Sequence, residues 1–199
     1  MRIAAQRAGH HVPPSDWPQF GWDAASSGAS FAATGIGRIT HLTGLLLQSR
    51  ADIKLQVVPY TGGPAAALTD VVGGRVPLII DGYSGLAGAI EAHSLTVLAV
   101  ASAHRLPNFP DVPTVAETLP GFAAGGWQGI VAPLGTPATA IQKINAGLQK
   151  VLGEPDIANP LALRGAIVSP MSPSEVNAFI NAQQAQWGPV LQAFMASVK

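Results

Sequence analysis

The chain has 199 residues, 11 Lys plus Arg against 11 Asp plus Glu, no Cys, and charged residues at only 11%. Balanced charge without a basic cluster excludes nucleic acid as the main partner, and the absence of Cys excludes disulfides and thiol chemistry. No run reaches the ~18 apolar residues of a membrane span. A chain of this length makes one large domain or two small ones and buries roughly 70% of its unfolded surface. Hydrophobic residues make up 48% of it. Charged residues usually supply about a quarter of a soluble domain. The deficit predicts a surface meant to be covered, or a missing part of a larger protein.

Met1–Gly21 carries Pro13, Pro14, Pro18 and the pair His10-His11 and reads as an irregular lead-in, extending to residue 29. Its first ten residues lack the continuous apolar stretch of a signal peptide. Phe31–Ala33 reads as a strand running into Thr34-Gly35-Ile36-Gly37. A helix follows, with Ile39, Leu42, Leu45 and Leu46 on one face. Leu55–Val58 is a second strand and Ala65–Val72 a helix, with Gly73-Gly74 as its C-cap. Pro77–Ile80 is a strand, Gly85–Glu91 a short helix, and Leu95–Ala101 and Gly129–Ala132 further strands. Strands alternating with helices predict an α/β fold with a mostly parallel sheet.

The last third changes character. Thr136-Pro137 opens a helix carrying Ile141, Ile144, Leu148 and Val151 at helical spacing. Glu154–Leu163 looks helical, but Pro160 interrupts it. Ser172-Pro-Ser-Glu175 is a capping box opening a final helix, with Val176, Phe179, Ile180, Trp187, Leu191 and Phe194 along it. Pro189 should kink that helix.

The chemistry in this pattern is binding rather than catalysis. Thr34–Gly37 joins a strand to a helix. Its glycines permit close backbone approach, and the helix start offers unpaired N–H groups to a carboxylate or phosphate. Tyr60-Thr61-Gly62-Gly63 follows another strand, and Asp81 ends a third before Gly82. In an open parallel sheet, ligands bind beyond the carboxyl ends of the strands, so these three segments should share one edge. Gly82-Tyr-Ser84-Gly85 is not a nucleophile elbow, because Leu86 stands where the second Gly is needed. The five His show no metal-ligand spacing, the acids are dispersed, and no nucleophile, base and oxyanion hole assemble. No cofactor or metal is implied.

The order of segments resembles the solute-binding receptors of tripartite tricarboxylate transporters, also called Bug-type receptors. The resemblance rests on Ser30–Leu42, Val58-Pro-Tyr-Thr-Gly-Gly63, Leu68–Val76 and Leu78-Ile-Ile-Asp81. It continues through Pro110-Asp-Val-Pro-Thr-Val-Ala-Glu117, Pro120-Gly-Phe122, Trp127 and Ala132-Pro-Leu-Gly-Thr-Pro137. It implies a type II periplasmic-binding-protein-like fold and an extracytoplasmic receptor that closes on small carboxylates without catalysis. Residues 30–125 would form the ligand-binding second lobe, and 126–199 the return segment and C-terminal helices of the first. The implied ligand residues are Thr34, Gly35, Ile36, Gly37, His41, Tyr60, Thr61, Gly62 and Asp81. The implied partners are a small carboxylate and membrane transporter subunits, in the periplasm. The family's first lobe begins with a strand and a Gly-rich loop that have no counterpart here. Self-association through the C-terminal helices is therefore expected. The alternatives are a truncated, non-binding relic of such a receptor and an enzyme on a similar scaffold.

Overall fold

A computed structural model describes residues 2–6 and 29–197. Its five strands are β1 (Arg2–Gln6), β2 (Ser30–Ala33), β3 (Gln56–Pro59), β4 (Leu78–Asp81) and β5 (Leu95–Val100). Helices α1 (Ile39–Ala51), α2 (Pro64–Val72) and α3 (Tyr83–Glu91) follow β2, β3 and β4. The sheet order is β3-β2-β4-β1-β5. β2 is parallel to β3 and β4, while β1 is antiparallel to both β4 and β5. Four strands thus run one way and β1 the other.

Residues Arg2–Gln6 correct the expectation of an irregular lead-in. They are too short to show a period, yet β4 and β5 run in the same direction with a gap between them. One strand in that gap pairs the backbone groups of both neighbours, which burial would otherwise leave unsatisfied. The rest of the expected lead-in, including His10-His11 and the three prolines, lies outside the described residues.

Alternation along the strands builds two core layers. Ala32 and Ile79 pack with Ala67, Val71, Leu86 and Leu95, which places α2 and α3 over one face. Phe31, fully buried, turns to the other face and meets α1 at Gly44. A Cβ on Gly44 would stand 2.1 Å from the Phe31 ring, so that helix sits close to the sheet only because Gly44 has none. After β5, a 3₁₀ turn at Val115–Glu117 is held by a capping box between Thr114 and Glu117. Arg105 grips the Glu117 carboxylate through Nε at 2.8 Å and Nη2 at 2.6 Å. That grip holds the Glu117 carboxyl down at about 2.

The chain divides into two compact units, one ending at Gly126 and one beginning at Trp127. The second contains α4 (Ala138–Leu152), α5 (Pro155–Leu163) and α6 (Pro173–Ser197). The Ser172–Glu175 box closes as expected: Glu175 N–H donates to Ser172 Oγ, and Ser172 N–H to the Glu175 carboxylate at 2.7 Å. Pro160 does not interrupt α5, and α6 runs through Pro189. Each proline forfeits one ladder bond to its own missing N–H, and the turns on either side continue. Gly129–Ala132, expected as a strand, is in no strand. A strand exists only with a partner, and among the described residues nothing pairs with it. No described helix is long and apolar enough to cross a membrane.

Candidate functional site

Register fixes the site. Ala33 pairs with Pro59 on one side and Ile80 on the other. One residue further, Tyr60, Thr34 and Asp81 therefore stand in a row at the carboxyl ends of β3, β2 and β4. Neighbours in such a row are about 4.8 Å apart. Each of the three strands then feeds a helix, so α1, α2 and α3 all begin at this edge.

None of the three helices has a side-chain cap, and none carries an acid in its first turn. Their N-caps are Arg38, Gly63 and Gly82, which have no side-chain oxygen to offer. First-turn N–H groups have no intrahelical acceptor, and each helix start carries a partial positive charge. Three such starts on neighbouring strands make an electropositive edge supplied by backbone. Arg38 adds a full charge. Its side chain lies over Gly35, and it makes no ion pair among the described residues. Gly37 and Gly63 adopt positive φ of 76° each, and a Cβ at either would meet nothing within 4 Å. The space above both turns is open.

The residues singled out in the sequence separate into groups. Thr34 is half-buried and donates from Oγ1 to Thr40 Oγ1 at 3.4 Å, while Ile36 is 52% exposed at the tip of the loop. Thr61 and Gly62 form the exposed turn before α2. Gly35 turns the chain at φ 121°. Gly37 N–H does not face outward: it donates to His41 Nδ1 at 3.1 Å. His41 is 1% exposed, and burial pushes its imidazole pKa down, which keeps it neutral and able to accept that bond. His41 thus braces the loop from beneath.

Tyr60 packs its ring against the core, and its hydroxyl donates to Asp70 Oδ2 at 2.6 Å, in the last turns of α2. That bond raises the Tyr60 pKa and, with the Arg75 guanidinium, lowers that of Asp70. Tyr60 therefore fastens α2 to the end of β3, and its polar tip points away from the row. Asp81 is 8% exposed. Its Oδ1 accepts from Gly82 N–H at 2.7 Å, while Oδ2 is buried without a partner among the described residues. Burial raises its carboxyl pKa, and the bond from Gly82 N–H offsets part of that rise. Thr40, Arg38, Asp70 and Arg75 were not among the ligand residues implied from the sequence. For Thr40 the hydroxyl on a core-facing helix position was the available signal. No group of three or more His, Asp or Glu among the described residues could hold a metal ion.

Residues 24–195 match the sequence profile described as tripartite tricarboxylate transporter family receptor. The chain belongs to that family. A Pseudomonas sp. (strain P51) relative, the UPF0065 protein in the tcbD-tcbE intergenic region, is 36% identical over 160 residues. The match covers 79% of this chain and 47% of that one, so this chain spans about half the relative's length. Among solved structures, R. palustris Rpa4515 with adipate superposes with TM-score 0.81 at 26% identity, covering 96% of this chain and 64% of that one. MatC (Rpa3494) from Rhodopseudomonas palustris with bound malate gives TM-score 0.76 at 28% identity, covering 95% and 65%. The fold is that of the type II periplasmic binding proteins, mixed α/β with a mostly parallel sheet, as the sequence implied. This family is one of solute-binding receptors rather than enzymes, and its members are periplasmic.

Proposed function

We propose that this receptor binds a small carboxylate at the row Tyr60–Thr34–Asp81 and passes it, chemically unchanged, to the membrane subunits of a tripartite transporter in the periplasm. The carrying observation is the convergence of three helix starts without capping side chains or first-turn acids at one sheet edge. A carboxylate is the complement of such an edge. Two solved relatives contain the dicarboxylates adipate and malate. The loop Thr34, Gly35, Ile36 and Gly37 approaches the anion, Thr61 and Gly62 flank it, and Asp81 bounds it on the far side. His41 and Tyr60 hold the frame. The first unit then acts as the ligand-binding lobe, and the second carries C-terminal helices of the other. The half-length match to the Pseudomonas relative favours one other reading, a truncated scaffold that no longer binds.

Charge at the loop tip separates the readings. Ile36 is exposed, so Ile36→Asp and Ile36→Asn should both fold. Calorimetric titration with adipate, malate and single carboxylates should show binding. Ile36→Asp should weaken it roughly fivefold relative to Ile36→Asn, the effect of about 1 kcal/mol between like charges 4 Å apart in water. Equal affinities for the two variants would place the site elsewhere. No heat with any acid would favour the non-binding scaffold.

A further inference from the structure

Charge along the sheet edge is uneven. At the β4 end, the Asp81 carboxyl lies where two helices begin. A Cβ on Gly85, in α3, would stand 3.8 Å from Asp81 Cγ and 3.0 Å from Cγ of Pro64, the first residue of α2. The carboxylate offsets the partial positive charge of both starts. Asp81 is 8% exposed, and its Oδ2 has no partner among the described residues. This end of the row already holds an anion, and one still short of a donor. The start of α1 has no such counterpart. Ser30–Ala51 contains neither Asp nor Glu. Leu42 N–H is the first to reach a helical acceptor, Arg38 O at 3.0 Å, which leaves Ile39 and Thr40 N–H without one. Arg38 is exposed, yet its stem is folded back across the loop: a Cβ on Gly35 would stand 2.8 Å from Arg38 Cδ and 3.1 Å from Nε. Arg75 and Arg105 each grip an acid, Asp70 and Glu117, whereas Arg38 has no acid partner among the described residues. Ordering so long a side chain costs rotamer entropy, and here no counter-charge offsets it.

We propose that Arg38 determines specificity: its guanidinium takes the second carboxylate of a dicarboxylate ligand while the first sits at the start of α1. This rests on the carboxylate-binding reading above and names the residue that reads the ligand's charge. One residue supplies two separate anion sites. As the N-cap, Arg38 has its backbone at the helix start, beside Ile39 and Thr40 N–H, and its side chain over the preceding turn. One carboxylate answers the free N–H groups. The guanidinium stands off from them by the length of its own stem, and its planar fork fits a second carboxylate through two parallel bonds. A dianion is also the better match in charge, because a monocarboxylate at the helix start leaves the full charge of Arg38 unanswered. Asp81 sets the direction. A carboxylate at the β4 end would stand beside a buried acid, and like charges so placed repel. Both ligand carboxylates are therefore held to the α1 side of the row, with Gly35 leaving the space through which Arg38 reaches over the loop.

The test compares acids matched in chain length and different in charge. Succinate against butyrate, and adipate against hexanoate, are titrated calorimetrically into the full chain, into Arg38→Gln and into Arg38→Lys. Arg38 is exposed, so both variants should fold, and thermal melts check that they do. The native chain should prefer at least one dicarboxylate over its matched monocarboxylate by roughly fivefold, the upper end for an ion pair open to solvent. Arg38→Gln should abolish that preference by weakening the dicarboxylate and not the monocarboxylate. Arg38→Lys, which keeps the charge and loses the fork, should restore part of it. A preference unchanged in Arg38→Gln would overturn the proposal while leaving the carboxylate reading intact. So would an equal loss for both members of a pair, which would mean that Arg38 only shapes the loop. No heat from any acid with the native chain would overturn the carboxylate reading, and this inference with it.

Discussion

At the scale of single residues, the edge is built by two buried ionisable groups with opposite pH behaviour. His41 is held neutral by burial, with a pKa below the ordinary 6.5. The unfolded chain takes up a proton near 6.5 that the folded chain resists, so the contribution of His41 is complete above that pH. It is lost as pH falls below 6.5. Urea midpoints measured at pH 7.5 and 5.5 should drop for the native chain, and His41→Gln should flatten that difference. Asp81 behaves in the reverse sense. Its folded pKa is raised above 3.8 by burial, so ionising it costs stability as pH rises from 3.8 through the folded value. The cost is complete once the pH lies above the folded value. Asp81→Asn keeps the acceptor for Gly82 N–H and removes the charge. It should raise unfolding free energy at pH 7, because the buried charge is gone while the bond from Gly82 N–H is kept. Unchanged or lower stability would show that Oδ2 has a partner in solution.

At the scale of elements, α1 is placed by a missing side chain. The Phe31 ring occupies the space a Cβ on Gly44 would need. Gly44→Ala should cost about 3 kcal/mol, the upper range for overpacking a filled core. Thermal melts would register that directly, and a neutral result would mean that helix and sheet can slide apart. Strands β2 to β5 and helices α1 to α3 were legible because βα alternation and Gly-rich turns are local signals. Asp81 and Thr34 were legible as strand ends for the same reason. The tasks of His41 and Tyr60 were not. Nothing in the local pattern says that His41 accepts from Gly37, or that the Tyr60 hydroxyl reaches Asp70 ten residues on. Those bonds depend on how helix and loop lie in space. Arg2–Gln6 was hidden for a related reason. Its pairing partners are more than seventy residues away, and no periodicity within five residues announces them.

At the scale of the whole molecule, stability is uneven. The first unit holds a two-layered core around Phe31, Ala32, Ile79 and Ile80, all nearly inaccessible, while the second has little buried apolar surface. Local opening is easiest where apolar contacts are few. Amides of β2 and β4 should exchange at least tenfold more slowly than those of α4 in the isolated chain, and comparable rates would mean that the second unit is covered in solution. Its uncovered side chains and a formal net charge of zero also favour self-association. Light scattering over a concentration series should therefore show growth in mass near neutral pH.

The central place of β1 has a consequence for the order in which the chain can assemble. β2, β3 and β4 join through successive connections within residues 30–81. The carboxylate-facing edge can thus close from contiguous chain at small loop-closure cost. Residues 2–6, which precede β2–β5 in the chain, have no complete slot until residues 78–100 are in place. β5 reaches the sheet only through β1. β1 is then the last of these strands but β5 to find its place, and non-local pairings of this kind are the slow ones. Pulse-labelled refolding should protect Phe31–Ala33 before Ile3–Ala5, with β5 following β1 in the same late step.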